Sequence, residues 1–224
     1  MNRETKCLLG AACIALALVA GNAGAQDKGG AKQQNSGFLS DYSKLAPAPD
    51  NPNSKRWINK DFDFKPYDKI MLDPVEVWVS PASEYKGASP DSLKRMSDSF
   101  TAAFKKALHP GYTLVDKPGP GVLRIRLAIT GVSFAKPPMK PYQVLPIMAV
   151  ARAVSNDVVA VLSGEMQAID PSDNVVAAVV TTGTGTQSFS EKQEVTFKEL
   201  QAITDTWAKN LRKGLDTARG IAAK

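Results

Sequence analysis

The stretch from Asp116 to Phe134, DKPGPGVLRIRLAITGVSF, joins a rigid turn to the longest clean alternation in the chain. Pro118, Gly119, Pro120 and Gly121 set and then release the backbone. Beyond them Leu123, Ile125, Leu127 and Ile129 fall on one face of a strand, with Arg124, Arg126, Ala128 and Thr130 on the other. The first face needs a second layer to bury it. The alternation predicts that the other face is wet.

Two amphipathic segments are positioned to supply that layer. Ser89-Pro90-Asp91 reads as a helix start, and Leu93, Met96, Phe100, Phe104, Ala107 and Leu108 recur at helical steps until His109-Pro110-Gly111 stops them. Near the end, Thr196 and Glu199 form a capping box, with Val195 and Leu200 spaced as a hydrophobic staple. Phe197, Leu200, Ile203, Trp207, Leu211 and Leu215 then give a long apolar face, which Gly214 weakens modestly and Gly220 ends. Leu123 to Ile129 are expected to pack on Phe100, Phe104, Trp207 and Leu211.

Further strands surround these elements. Ile70 to Val79 is β-branched and aromatic, but its phase breaks at Pro74, as a bulge or an edge position would require. Tyr112 to Val115 is a short strand. Val158 to Ile169 and Val175 to Thr182 form a hairpin about Asp170-Pro171-Ser172-Asp173-Asn174, with Gly183 and Gly185 loosening its end. Ala135 to Asp157 holds four prolines and then an apolar run, Val144 to Val154, which reads either as a loop with a short buried helix or as an apolar contact surface. The order predicts an α+β fold: a two-layer sandwich, mostly antiparallel, with both helices on one face.

The N-terminal third is organised differently. Arg3 and Lys6, the apolar run Leu8 to Val19 and Ala23-Gly24-Ala25 have the form of a cleaved secretory signal, residues 1–25. Lipidation at Cys13 is the competing reading, disfavoured by the short apolar stretch before it and by Gly10 three residues ahead. Cleavage after Ala25 would leave roughly 200 residues, ample for one domain. It would also remove both cysteines, Cys7 and Cys13, as suits an oxidising compartment. Residues 26–66 read as a flexible leader and docking segment. Within it, Phe38, Leu39, Tyr42 and Leu45 make a stripe on a short helical turn, and 51–66 is a polar connector carrying Trp57, Phe62 and Phe64. Residues 67–224 are expected to form a single domain.

The chemistry points away from catalysis. His109 is the only histidine, and no G-x-S-x-G is present. Asp73 with Glu76, or Glu165 with Asp170, could run acid/base chemistry, but nothing in the spacing makes them converge. No metal set or phosphate-cradling glycine loop is found, so no cofactor is expected. The formal charge of +6 in an exported chain suits anionic headgroups or an acidic envelope partner rather than nucleic acid. Arg124, Arg126, Lys136, Lys140 and Arg152 are the candidate contacts, because no acidic residue lies between Gly119 and Asn156. The alternative is that the segment 36–66 covers this face, with Asp61 and Asp63 pairing with the arginines.

SGFLSDYSKL (36–45), YDKIMLDPVEVW (67–78), VDKPGPGVLRIRLAIT (115–130) and GEMQAIDPSDNVVAA (164–178) together resemble the blocks of a family of Gram-negative envelope proteins of unknown function, most of them lipoproteins. The resemblance implies a compartment and a fold and carries no catalytic residue. This chain departs from the family's usual N-terminus in lacking a convincing lipidation motif. The expectation is a non-enzymatic periplasmic protein, associated with the outer membrane, that binds or scaffolds another envelope component. The alternative is a hydrolase of an envelope polymer acting through Asp73, Glu76 or Glu165.

Overall fold

A computed structural model of the chain describes residues 35–78, 90–137, 157–190 and 197–221, except for the side chains of 189, 190 and 197–199. Its elements in chain order are β1 (Ala46–Ala48), β2 (Asn51–Ile58), β3 (Lys69–Leu72), β4 (Glu76–Val77), α1 (Pro90–Leu108), β5 (Thr113–Leu114), β6 (Val122–Ala135), β7 (Asp157–Ile169), β8 (Val175–Ser190) and α2 (Phe197–Ala218). The strands form one sheet in the order β1-β2-β8-β7-β6-β3-β5, with β4 also pairing with β6. The fold is α+β, as the sequence predicts. The predicted cap residues Ser89 and Thr196, the end of the Ile70–Val79 run at Val79, and the stretch 144–154 lie outside the described residues. Among the described residues no helix is long and apolar enough to cross a membrane.

The alternating stretch is the centre of the sheet. β6 pairs antiparallel with β7, and β7 with β8, as a long meander. β3 and β4 instead run parallel to β6, because the chain between them crosses over through α1. The phase break at Pro74 is real. Between the pairs Leu72↔Ile125 and Glu76↔Ala128 the edge chain spends three residues against two in β6, which is a bulge. Its backbone groups are satisfied from two sides: Asp73 N–H donates to Ile125 O (3.0 Å), Val75 N–H to Thr101 Oγ1 of α1 (2.9 Å), and Ser97 Oγ of α1 donates to Val75 O.

Leu123, Ile125, Leu127 and Ile129 are buried in one cluster with Phe100, Phe104 and Leu108 of α1 and Leu200, Ile203 and Leu215 of α2, and Trp207 and Leu211 pack against its margin. This is the packing predicted for the first face. Leu162 and Ala160 of β7 extend the cluster. Two glycines let α2 come this close. A Cβ on Gly183 would lie 2.3 Å from Ile203 Cγ2, and one on Gly164 would lie 2.6 Å from Trp207 Cζ3. Gly183 therefore seats the helix, and β8 continues past it to Ser190, although its register with β7 breaks between Thr184 and Ser188, around Gly185, where the glycines were expected to loosen the strand. Gly220 ends α2 as expected. At φ 72° it donates to Thr217 O (3.0 Å), and Ile221 N–H reaches Asp216 O (2.8 Å), a Schellman pair.

The loop after α1 is latched to α2. Tyr112 is buried and its hydroxyl donates to Asp216 Oδ1 (2.9 Å), while Arg212 grips the same carboxylate (2.8 Å) and caps α1 through Leu108 O (3.0 Å). Burial, followed by the bond to Asp216, pushes the Tyr112 phenol up to about 12, so it stays a donor across the physiological range.

The N-terminal segment departs most from expectation. Asn51–Ile58, read as a polar connector, is a strand paired from Ser54↔Thr181 to Ile58↔Ala177 with β8, and Ala46–Ala48 adds the edge strand. Residues 36–45 form bends and a turn rather than a helical turn. The segment docks by extending the sheet.

Gly183→Ala is expected to destabilise the protein by about 1–3 kcal/mol through overpacking against α2. In a double-mutant cycle with Ile203→Ala, the pair should lose less than the sum of the singles, measured by urea denaturation. Simple additivity would place the conflict elsewhere.

Candidate functional site

The second face of the sheet is covered, not wet. Arg124, Arg126 and Ala128 point away from the helices, yet Ala128 is buried, and so is Thr130, which bulges out of the β6–β7 register between Ile129 and Gly131. Phe38 and Leu39, from the strap formed by residues 35–45, pack on Ala128, Ala178 and Val180 in a second, smaller core. This strap is pinned by a buried acid. Glu165 of β7 is only 2% exposed and sits beside Ala128 and Val180 in register. Tyr42 Oη donates to its Oε2 at 2.6 Å, and Ser36 N–H donates to its Oε1 at 3.1 Å. The Tyr42 hydroxyl in turn accepts from Gly37 N–H (2.9 Å) and Leu39 N–H (3.2 Å), so one side chain closes the strap on itself and on the sheet.

The arginines stand beside this strap, already paired. Arg124 grips Asp73 through Nε (3.0 Å) and Nη2 (2.7 Å), a two-pronged contact. Hydrogen bonding to Asp73 raises the Arg124 guanidinium above its ordinary value. Arg126 donates to Glu76 Oε1 (2.9 Å) and lies over the Phe38 ring, 4.9 Å from its centroid. Trp78 packs edge-on against Phe38 and donates from Nε1 to Ser36 O (3.0 Å). The face is thus covered by 36–45, as the alternative reading held. The acids, however, are Asp73 and Glu76, brought in by the parallel pairing of β3 and β4 with β6. Asp61 and Asp63 take no part in the described ion pairs. Lys136 is exposed just beyond β6, and Lys140 and Arg152 lie outside the described residues.

A hollow opens next to the strap. Across β6, β7, β8 and β2 the same face presents Arg126, Gln167, Ala178 and Trp57 in one cross-strand row. Ala178 is the small residue between two large ones, and the gap is walled by strap residues 39–41 and 44 and by the β7–β8 turn. The hollow encloses about 320 Å³, at the lower end of the size of small-molecule sites. Lys44 lies over the Trp57 ring at 4.7 Å. Gln167, 5% exposed, lines it, and its Oε1 meets no donor among the described residues.

The carboxylates named as catalytic candidates are each engaged by other groups. Asp73 and Glu76 are drawn together on Arg126, and Glu165 is sealed beneath the strap. Asp170 organises the β7–β8 turn. Its burial works against ionisation, but bonds from Asn174 and Ser172 outweigh this and hold its carboxyl below the ordinary value. His109 is exposed beyond the end of α1, and no group of three potential metal ligands occurs among the described residues. Sequence reasoning missed Tyr42 as a polar anchor and Gln167 and Trp57 as neighbours. The usable signal was β7 itself, whose alternation puts Val159, Val161 and Ile169 on the same face as Glu165 and Gln167.

Tyr42→Phe should cost about 1–3 kcal/mol, since it leaves a buried carboxylate short of a donor. Adding Glu165→Gln to it should recover part of that loss in urea denaturation. A loss below about half a kcal/mol would mean that the Tyr42 bond does not hold the strap.

A family model described as Protein of unknown function (DUF3313) matches residues 34–211. An uncharacterized lipoprotein of Escherichia coli strain K12, YdcL, is 27% identical over 183 residues, which span 77% of this chain and 81% of that protein. Two solved structures are loosely similar: a PelC dodecamer from Paraburkholderia phytofirmans, over 70% of this chain and 94% of its own with 8% identity and a TM-score of 0.36, and a minor lipoprotein from Acinetobacter baumannii, over 68% and 93% with 11% identity and a TM-score of 0.33. The family match begins at the strap and runs into α2, and the chain belongs to the DUF3313 family of proteins of unknown function.

Proposed function

We propose that this is a non-catalytic protein of the cell envelope, on the periplasmic side, that binds or scaffolds another envelope component through its strapped face. The relative named as a lipoprotein and the signal-like N-terminus support the compartment. The state of the acids carries the rest. A hydrolase needs two carboxylates converging on a cleft with room for substrate, whereas Asp73 and Glu76 are spent on Arg124 and Arg126, and Glu165 on Tyr42 and Ser36. Arg124 and Arg126 support an anionic-surface contact less than their sequence suggests, because each is held by an acid. The strap and its hollow are the better candidate for contact.

Photocrosslinking in intact cells from Ser40, exposed on the strap, is expected to capture a discrete envelope component. Purified protein should release no soluble fragments from isolated peptidoglycan or lipopolysaccharide. Release that disappears in Glu76→Gln or Glu165→Gln would overturn the non-catalytic reading.

A further inference from the structure

Gln167 is a feature that the strap contacts and the ion pairs do not explain. A buried side-chain amide ordinarily has its hydrogen bonds made, and leaving an acceptor unmatched costs stability. Glu165, two residues before it on the same face, is fully engaged by the strap. Gln167 lines the hollow instead, and its oxygen, itself out of reach of water, meets no described donor. An apolar residue would suit the row between Arg126 and Ala178 better, unless something occupying the hollow uses the amide.

The other walls narrow the chemistry. Trp57 supplies a flat aromatic surface, from which the exposed Lys44 ammonium, 4.7 Å over the ring, has to swing aside, and Leu39, Val175 and Ala178 add apolar area. Asp173, held at φ 61° at the turn, presents a carboxylate at the rim. Lys44 balances Asp41, 3.9 Å away, so the hollow has no excess of positive charge to select a phosphate or carboxylate. An aromatic slab, an unmatched amide and a carboxylate acceptor fit a ring with an apolar C–H face, hydroxyls at its edge and an amide of its own. We propose that the hollow between strap and sheet binds an uncharged sugar ring bearing an acetamido group, stacked at Trp57 and hydrogen-bonded by Gln167, with Asp173 accepting from its hydroxyls.

This assignment rests on the reading of the protein as a binding module, and the test separates the two. The probe is di-N-acetylchitobiose, titrated into the isotope-labelled protein. Saturable shifts are expected in the Trp57 indole N–H and the Gln167 side-chain amide. Maltose, which lacks the acetamido group, should bind at least about tenfold more weakly, as a site built to hydrogen-bond a group rejects analogues without it. Gln167→Leu should weaken the disaccharide at least about tenfold while leaving the Tm equal or higher, because it removes an unmatched buried polar group. A residue with only a structural role would lower the Tm and leave binding alone. Trp57→Ala is the second variant, expected to abolish the shifts at the Gln167 amide. No saturable shift with the disaccharide at millimolar concentration, shifts that persist in both variants, or equal binding of maltose would each overturn the assignment. If the sugar fails to bind while the Ser40 crosslink in cells persists, the inference falls and the binding-module reading stands. If the disaccharide binds here and is cleaved, the site stands and the non-catalytic reading falls.

Discussion

A single buried carboxylate decides how this sheet is finished. Glu165 lies in the middle of the central hairpin, on the face away from the helices, and is almost wholly removed from water. An acid in that position is costly unless donors reach it. Both come from the strap: the Tyr42 hydroxyl, at the short distance typical of a charge-assisted bond, and the Ser36 amide. Glu165 therefore requires the strap. The strap in turn brings Phe38 and Leu39 onto Ala128, Ala178 and Val180 and gives the sheet a second, minor core. The polar contact sets the register of the strap, and the apolar residues supply the area.

The arginine pairs continue the same logic toward the edge. The bulge at Asp73–Val75 lets the edge chain change phase while staying parallel to β6, and it leaves Asp73 and Glu76 beside Arg124 and Arg126. α1 holds the bulge from behind through Ser97 and Thr101. Partly buried and two-pronged, the Arg124–Asp73 contact is of the kind that fixes geometry, whereas isolated exposed pairs contribute little. Arg126 joins the two systems by lying over Phe38. Helix layer, edge bulge and strap are thus linked across the sheet.

Much of the helix side was legible in the sequence because period and burial are local signals. Leu123 to Ile129, the apolar face of α1, the hairpin about Asp170 and the terminal glycine of α2 each follow from residues within a few positions of one another. The phase break at Pro74 was legible for the same reason. What escaped depended on distant neighbours. Asn51–Ile58 looks like a connector because its side chains are polar, but it is held by backbone pairing to β8, which composition does not record. Gly183 looks like a weak point in a strand, although its missing Cβ is the space that Ile203 occupies, and only the approach of α2 reveals this. Arg124 and Arg126 look unneutralised in a window running from Gly119 to Asn156, since their acids enter through a parallel crossover some fifty residues earlier. The hollow at Gln167 was illegible for the same cause: Trp57, Gln167 and Ala178 come from three strands and meet only once β2 has joined β8.

The strap as a structural layer is the claim on which the hollow and the second core both depend. Its most direct measurement is the urea unfolding free energy of a chain shortened to begin at Ala46, which keeps β1 and β2 but lacks Ser36, Phe38, Leu39 and Tyr42. The account predicts a loss of about 3 kcal/mol or more, from two large apolar side chains no longer buried and a carboxylate left without its donors. A shortened chain as stable as the full one, to within about half a kcal/mol, would mean that the strap merely rests on the sheet, and would contradict the account.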